Sequence, residues 1–175
     1  MHMTDSRDIK ADPQTVWASL LDPEVLKACV PGCQEMHGSP EDGFDATVVQ
    51  KVGPVKATFK GSVTLSDLVD GESLTLTGEG KGGAAGFAKG GAKVTLEDSG
   101  TGTLLTYDVD ARVGGKLAQL GSRIVDGFTK KMADQFFERF QSVVEGADDA
   151  DAPDAEDVAD GDGKKKGWIK RVFTS

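Results

Sequence analysis

The spacing of apolar residues changes once along this chain, at Gly114-Gly115, and no other feature restricts the fold as strongly. Before that point, apolar and polar residues alternate. In V-K-A-T-F-K-G-S-V-T-L-S, the residues Val55, Ala57, Phe59, Gly61, Val63 and Leu65 share one face, and Lys56, Thr58, Lys60, Ser62 and Thr64 take the other, which is a half-buried strand. The same alternation runs over Phe44 to Val52, Glu72 to Gly80, Ala88 to Leu96 and Leu105 to Val113, with turn residues between at Glu41-Asp42-Gly43, Asp70-Gly71 and Asp98-Ser99-Gly100. Connections this short imply antiparallel hairpins. After Gly115, Leu117, Leu120, Ile124, Phe128, Met132, Phe136, Phe140 and Val143 recur at steps of three and four, predicting a continuous helix roughly 45 Å long.

Two shorter helices are predicted upstream. Asp12-Pro13 and Asp22-Pro23 each read as an N-cap followed by proline at the first helical position. Val16, Trp17, Leu20 and Leu21 form the apolar face of the first, and Val25, Leu26 and Cys29 that of the second, which should stop before Pro31-Gly32. The expected architecture is α+β: a first strand, two short helices, a curved antiparallel sheet of six to seven strands in all, and a long C-terminal helix. A sheet with one apolar face must cover it, and only the long helix has the length to do so, so the expected fold is a helix-grip.

Inward strand positions are short of bulk. Ala46, Ala57, Gly61, Gly78, Gly80, Ala88, Gly90, Ala92 and Ala111 are all small, whereas ordinary cores fill to a density of about 0.74. Two readings follow: an internal cavity, or a close approach of helix to sheet. A cavity would be lined by Val48, Phe59, Val63, Leu76, Val94, Tyr107 and Val109 of the sheet and by Leu117, Leu120, Ile124 and Phe128 of the helix. Such a lining suits an isoprenoid tail or a flat apolar ring. Tyr107, the sole tyrosine, either donates a hydrogen bond to a bound carbonyl or is a core residue with a backbone partner. The loop Gly82-Gly83-Ala84-Ala85-Gly86-Phe87 reads either as a gate plugged by Phe87 or as a plain hairpin loop.

Charge divides the chain into three segments. Residues 1–145 carry 15 basic and 21 acidic side chains, residues 146–163 carry eight acidic and no basic, and residues 164–175 carry five basic and no acidic. The middle segment lacks the apolar content to fold and reads as a disordered linker. In the last, K-K-K-G-W-I-K-R-V-F-T-S, helical spacing puts Trp168 over Val172 and Ile169 over Phe173, opposite Lys170 and Arg171, with Lys164, Lys165 and Lys166 upstream. That is the pattern of an interfacial membrane anchor, or of a peptide that docks on a protein partner. The net charge of −9 argues against nucleic-acid binding. No apolar run reaches the ~18 residues that cross a bilayer, and no secretory leader is evident, so a cytoplasmic, peripheral location is expected. Cys29 and Cys33 read as packing residues rather than zinc ligands. His2 and His37 stand in no recognisable catalytic motif, so no catalytic or metal site is assigned.

Three stretches carry a family resemblance: V-W-A-S-L-L-D-P-E-V-L-K-A-C-V-P-G-C-Q at Val16 to Gln34, V-G-P-V-K-A-T-F-K-G at Val52 to Gly61, and G-E-G-K-G-G-A-A-G-F-A-K-G at Gly78 to Gly90. With the order of elements, they resemble the carbon monoxide dehydrogenase CoxG family of the START-like, or SRPBCC, superfamily, over residues 1–145. The resemblance implies a helix-grip fold and a non-catalytic accessory protein of a molybdenum-containing carbon monoxide dehydrogenase or related hydroxylase. It further implies a bound respiratory quinone, menaquinone or ubiquinone, and work at the inner face of the cell membrane. Two alternatives remain open: a recruitment or assembly factor without a ligand, and an enzyme like the START-like aromatic cyclases.

Overall fold

The structure, a computed structural model, describes residues 1–150, and the side chains of residues 1–146. The acidic linker lies almost wholly outside the described residues and the basic segment 164–175 entirely so. One compact unit spans Met1–Val144.

Seven strands form one antiparallel sheet: β1 (His2–Ile9), β2 (Cys33–Ser39), β3 (Gly43–Val52), β4 (Val55–Val69), β5 (Ser73–Lys81), β6 (Phe87–Asp98) and β7 (Thr103–Gly114). Their spatial order is β1-β7-β6-β5-β4-β3-β2. Strands β2 to β7 are a meander, and the first strand adds at the far edge beside β7. Glycine makes the tight turns, with positive φ at Gly43, Gly53, Gly71 and Gly100.

The two Asp-Pro signals behave as caps. Helix α1 (Pro13–Leu20) begins where the Asp12 side chain accepts from the Thr15 amide, and α2 (Pro23–Cys29) where that of Asp22 accepts from the Glu24 amide. The cap hydrogen bonds from Thr15 hold the Asp12 carboxyl below the usual carboxylate range. Burial pushes the Cys29 thiol up to about 12, so it stays protonated and packs as a small apolar group.

The C-terminal helix is not continuous. A single turn, α3 (Lys116–Gln119), is followed by a break at Gly121, where φ is +90°, and then by α4 (Ser122–Ala150). The break resets the phase, so the apolar face of α4 differs from the expected one. Val125, Phe137, Phe140 and Val144 are buried, whereas Ile124 and Val143 are 41% and 38% exposed. The face that meets the sheet steps through Val125, Phe128, Thr129, Met132, Phe136, Phe137, Phe140 and Val144.

The core gathers at one end of the sheet. Ile9, Val16, Trp17, Leu74, Val94, Leu96, Leu105 and Tyr107 pack with Phe137, Phe140 and Val144 of α4. Phe136 and Phe140 stack at 5.8 Å, and Tyr107 and Phe137 at 5.0 Å. Each such apolar side chain contributes roughly 1.5–3 kcal/mol by leaving water.

Candidate ligand cavity

Aromatic bulk runs out toward the other end of the sheet. Rows of cross-strand neighbours locate the change. Leu74, Val94 and Tyr107 form one row, Leu76, Ala92 and Val109 the next, then Gly78, Gly90 and Ala111, then Gly80, Ala88 and Val113. The first row belongs to the core. Val109, Ala111, Val113, Gly80 and Ala88, from the later rows, line a cavity of about 560 Å³. Val48, Gln50 and Val52 of β3 and Phe59 of β4 form another wall, and Leu117, Val125, Phe128, Thr129 and Met132 supply the helical side. At Gly80 an added Cβ would meet no atom within 4 Å, so the missing side chain directly enlarges the hollow.

The cavity opens to solvent. Ala118, Gly121, Ser122 and Asp126 line it and are themselves exposed. Beside them lies the β3–β4 turn: a Cβ on Gly53 would stand 3.5 Å from Ile124 and 4.0 Å from Leu120. Exposed cations stand on the segments around this mouth, Lys51 and Lys56 flanking the turn, Lys116 on α3 and Arg123 on α4. The chain break at Gly121 shapes the opening, since it turns α3 across the end of the sheet and leaves the start of α4 at the rim.

Of the expected lining, Val48, Phe59, Val109, Leu117 and Phe128 stand around this cavity. Six others do not. Val94 and Tyr107 belong to the filled core one row away. Leu76 packs against that core, and Val63 lies against Gly78. Leu120 and Ile124 turn toward the β3–β4 loop outside the cavity, because the helix break rotates them off the inner face. The residues not anticipated from sequence, Gln50, Val52, Val113, Val125, Thr129 and Met132, are those whose position follows from strand register and from the phase of α4 after Gly121.

Tyr107 is a core residue, 4% exposed, but its hydroxyl partner is a side chain rather than backbone. The Arg7 guanidinium donates to it at 3.1 Å and to Asp134 at 2.6 Å. Phe87 is not a plug. It pairs with Gly114 on the outward parity of β6 and rests over that glycine, while its neighbour Ala88 faces the cavity. The glycine-rich loop is closed by hydrogen bonds from Gly82 to Gly86, Ala85 to Gly82 and Gly86 to Gly83, around a 3-10 turn at Gly83–Ala85. Both histidines lie on exposed strand surfaces, His37 beside Glu35 and His2 beside Asp108. Among the described residues, no cluster of three His, Cys, Asp or Glu side chains is arranged to hold a metal ion, and no helix is long and apolar enough to cross a membrane.

Comparison with known proteins agrees with this geometry. A conserved protein from Geobacillus kaustophilus of known structure is 28% identical, with 84% of this chain and 97% of that one covered and a TM-score of 0.78. A protein from Thermus thermophilus (14% identical, 84% and 99% covered, TM-score 0.64) and one from Chromobacterium violaceum (18%, 82% and 96%, 0.61) share the fold. No curated protein matches the chain. The fold is the START-like helix-grip, and the family model for the CoxG component of carbon monoxide dehydrogenase matches residues 6–145. The chain therefore belongs to the carbon monoxide dehydrogenase CoxG family.

Proposed function

We propose that this protein is a non-catalytic accessory component of a molybdenum-containing carbon monoxide dehydrogenase or related hydroxylase, carrying a respiratory quinone in its cavity and held at the inner face of the cell membrane by its C-terminal segment. Family membership supports the enzyme partner. The observation that carries the quinone reading is the cavity itself. Its volume, about 560 Å³, falls within the ~300–1,000 Å³ usual for small-molecule sites. Valine, leucine, phenylalanine and methionine side chains offer dispersion contacts to a fused ring and the first part of an isoprenoid tail. A ligand with a long apolar tail needs an open mouth, and the exposed rim at Gly121 and Ser122 suits one. The cations around that mouth, with exposed Ile124 among them, favour an anionic bilayer as the surface it meets.

Native mass spectrometry of the full chain, purified from a quinone-producing host, tests the reading. The expected spectrum shows the protein with one quinone mass added. Protein consistently free of quinone and other polyisoprenoids would remove the carrier role and leave recruitment of the enzyme as the surviving reading.

A further inference from the structure

We infer that the cavity is built for the reduced, hydroxyl-bearing form of its ligand, a dihydroquinone, in preference to the oxidised quinone. This rests on the quinone reading above and goes beyond it by naming the redox state that the protein holds more tightly. The reason is the kind of hydrogen bond that the interior can make.

Two polar side chains stand on the inner walls, Gln50 and Thr129. The amide nitrogen of Gln50 donates to the carbonyl of Pro31. A carbonyl only accepts, so that contact fixes which end of the amide is nitrogen, and Gly32, at φ +78°, brings the backbone turn against it. The Gln50 oxygen is left as an acceptor without a donor among the described residues. Thr129 has one hydroxyl proton and donates it to the carbonyl of Val125 at 2.8 Å, one turn back on α4. What Thr129 offers the cavity is therefore its lone pairs. The remaining inner walls are Val48, Val52, Phe59, Val109, Leu117 and Phe128, which have no polar side-chain atom. Ser122 and Asp126 stand on the exposed rim, where water competes for them.

An oxidised quinone brings only carbonyl acceptors. Set against Gln50 and Thr129, they give up their water and gain no hydrogen bond. A dihydroquinone brings two O–H donors, which can each meet an acceptor. One such bond made in place of an acceptor–acceptor contact corresponds to about tenfold in affinity. By linkage, a reduced form bound tenfold more tightly raises the potential of the bound two-electron couple by about 30 mV relative to the free couple.

The test uses the full-length protein and menadione, a tail-free naphthoquinone, with menadiol as its reduced partner under anaerobic conditions, each titrated by equilibrium dialysis. Menadiol should bind about tenfold more tightly. Gln50→Met and Thr129→Val, which remove the acceptors while keeping similar volume, should each bring the two affinities closer by weakening menadiol and leaving menadione within about threefold. Circular dichroism melts of the variants confirm that they are folded. Equal binding of the two forms, or tighter binding of menadione, overturns the inference while leaving the quinone cavity standing. Preference for menadiol that survives both substitutions overturns the assignment to Gln50 and Thr129. Binding of neither form overturns the inference together with the quinone reading.

Discussion

Glycines that look alike in the sequence are small here for different reasons. At Gly80 an added Cβ meets open cavity. At Gly90 it would lie 2.1 Å from the Asp110 carbonyl oxygen and 2.6 Å from the Ala111 Cα, so the neighbouring strand, not a ligand, excludes a side chain. Gly78 is intermediate, 3.1 Å from a methyl of Val63. Gly80→Leu should therefore fill the hollow and reduce quinone affinity at least about tenfold, with thermal stability unchanged or slightly raised, since a strand glycine costs about 0.5–1 kcal/mol. Gly90→Ala should destabilise by about 2 kcal/mol or more through backbone overlap. Urea midpoints and dialysis on the two variants check this, and the reverse pattern would refute the placement of the cavity. Alternation identifies both residues as inward, but it carries no information on what lies opposite an absent side chain.

Between elements, Arg7 ties the edge strand β1 to helix α4. Its guanidinium lies 5.3 Å from the Phe137 ring centre and bonds Asp134, which Lys130 also bonds at 3.1 Å. The hydrogen bond from Arg7, aided by that from Lys130, holds the Asp134 carboxyl below its ordinary value. A carboxyl lowered by folding stabilises the fold above its unfolded value of about 3.9 and loses that contribution as pH falls through its folded value. Asp134→Asn should therefore lower the urea midpoint at pH 7, and the gap from the parent protein should close below about pH 4. A gap of constant size from neutral pH down to about pH 3 would show that the ionised carboxylate is not its source. Neither partner stands out in the sequence. Arg7 and Asp134 are 127 residues apart, and only the pairing of β1 with β7, beneath α4, brings them together.

For the whole chain, the question is how an open, cation-rimmed cavity and a basic-aromatic terminus divide the work at a membrane. On the proposed reading, residues 164–175 supply the attachment and the mouth supplies ligand entry. Deleting Lys164 to Ser175 should abolish flotation with anionic liposomes at moderate salt, while the melting temperature moves by less than about 2 °C, because the compact unit ends at Val144. Persistent flotation after that deletion would assign membrane binding to the folded unit instead.

Periodicity and capping chemistry were sufficient by themselves for the order of elements, the antiparallel meander and both short helices, because those signals act over a few residues: alternation, Asp-Pro caps and glycine turns. The break at Gly121 was less legible, since the apolar spacing continues across it and a single glycine is tolerated within many helices. Once the break reset the phase of α4, Val125 and Thr129 faced inward and Ile124 did not, which no local pattern encodes. The tertiary structure alone decided where core ends and cavity begins. That boundary is set by the cross-strand row at which phenylalanines of α4 stop filling the space, and it depends on contacts between residues far apart in sequence.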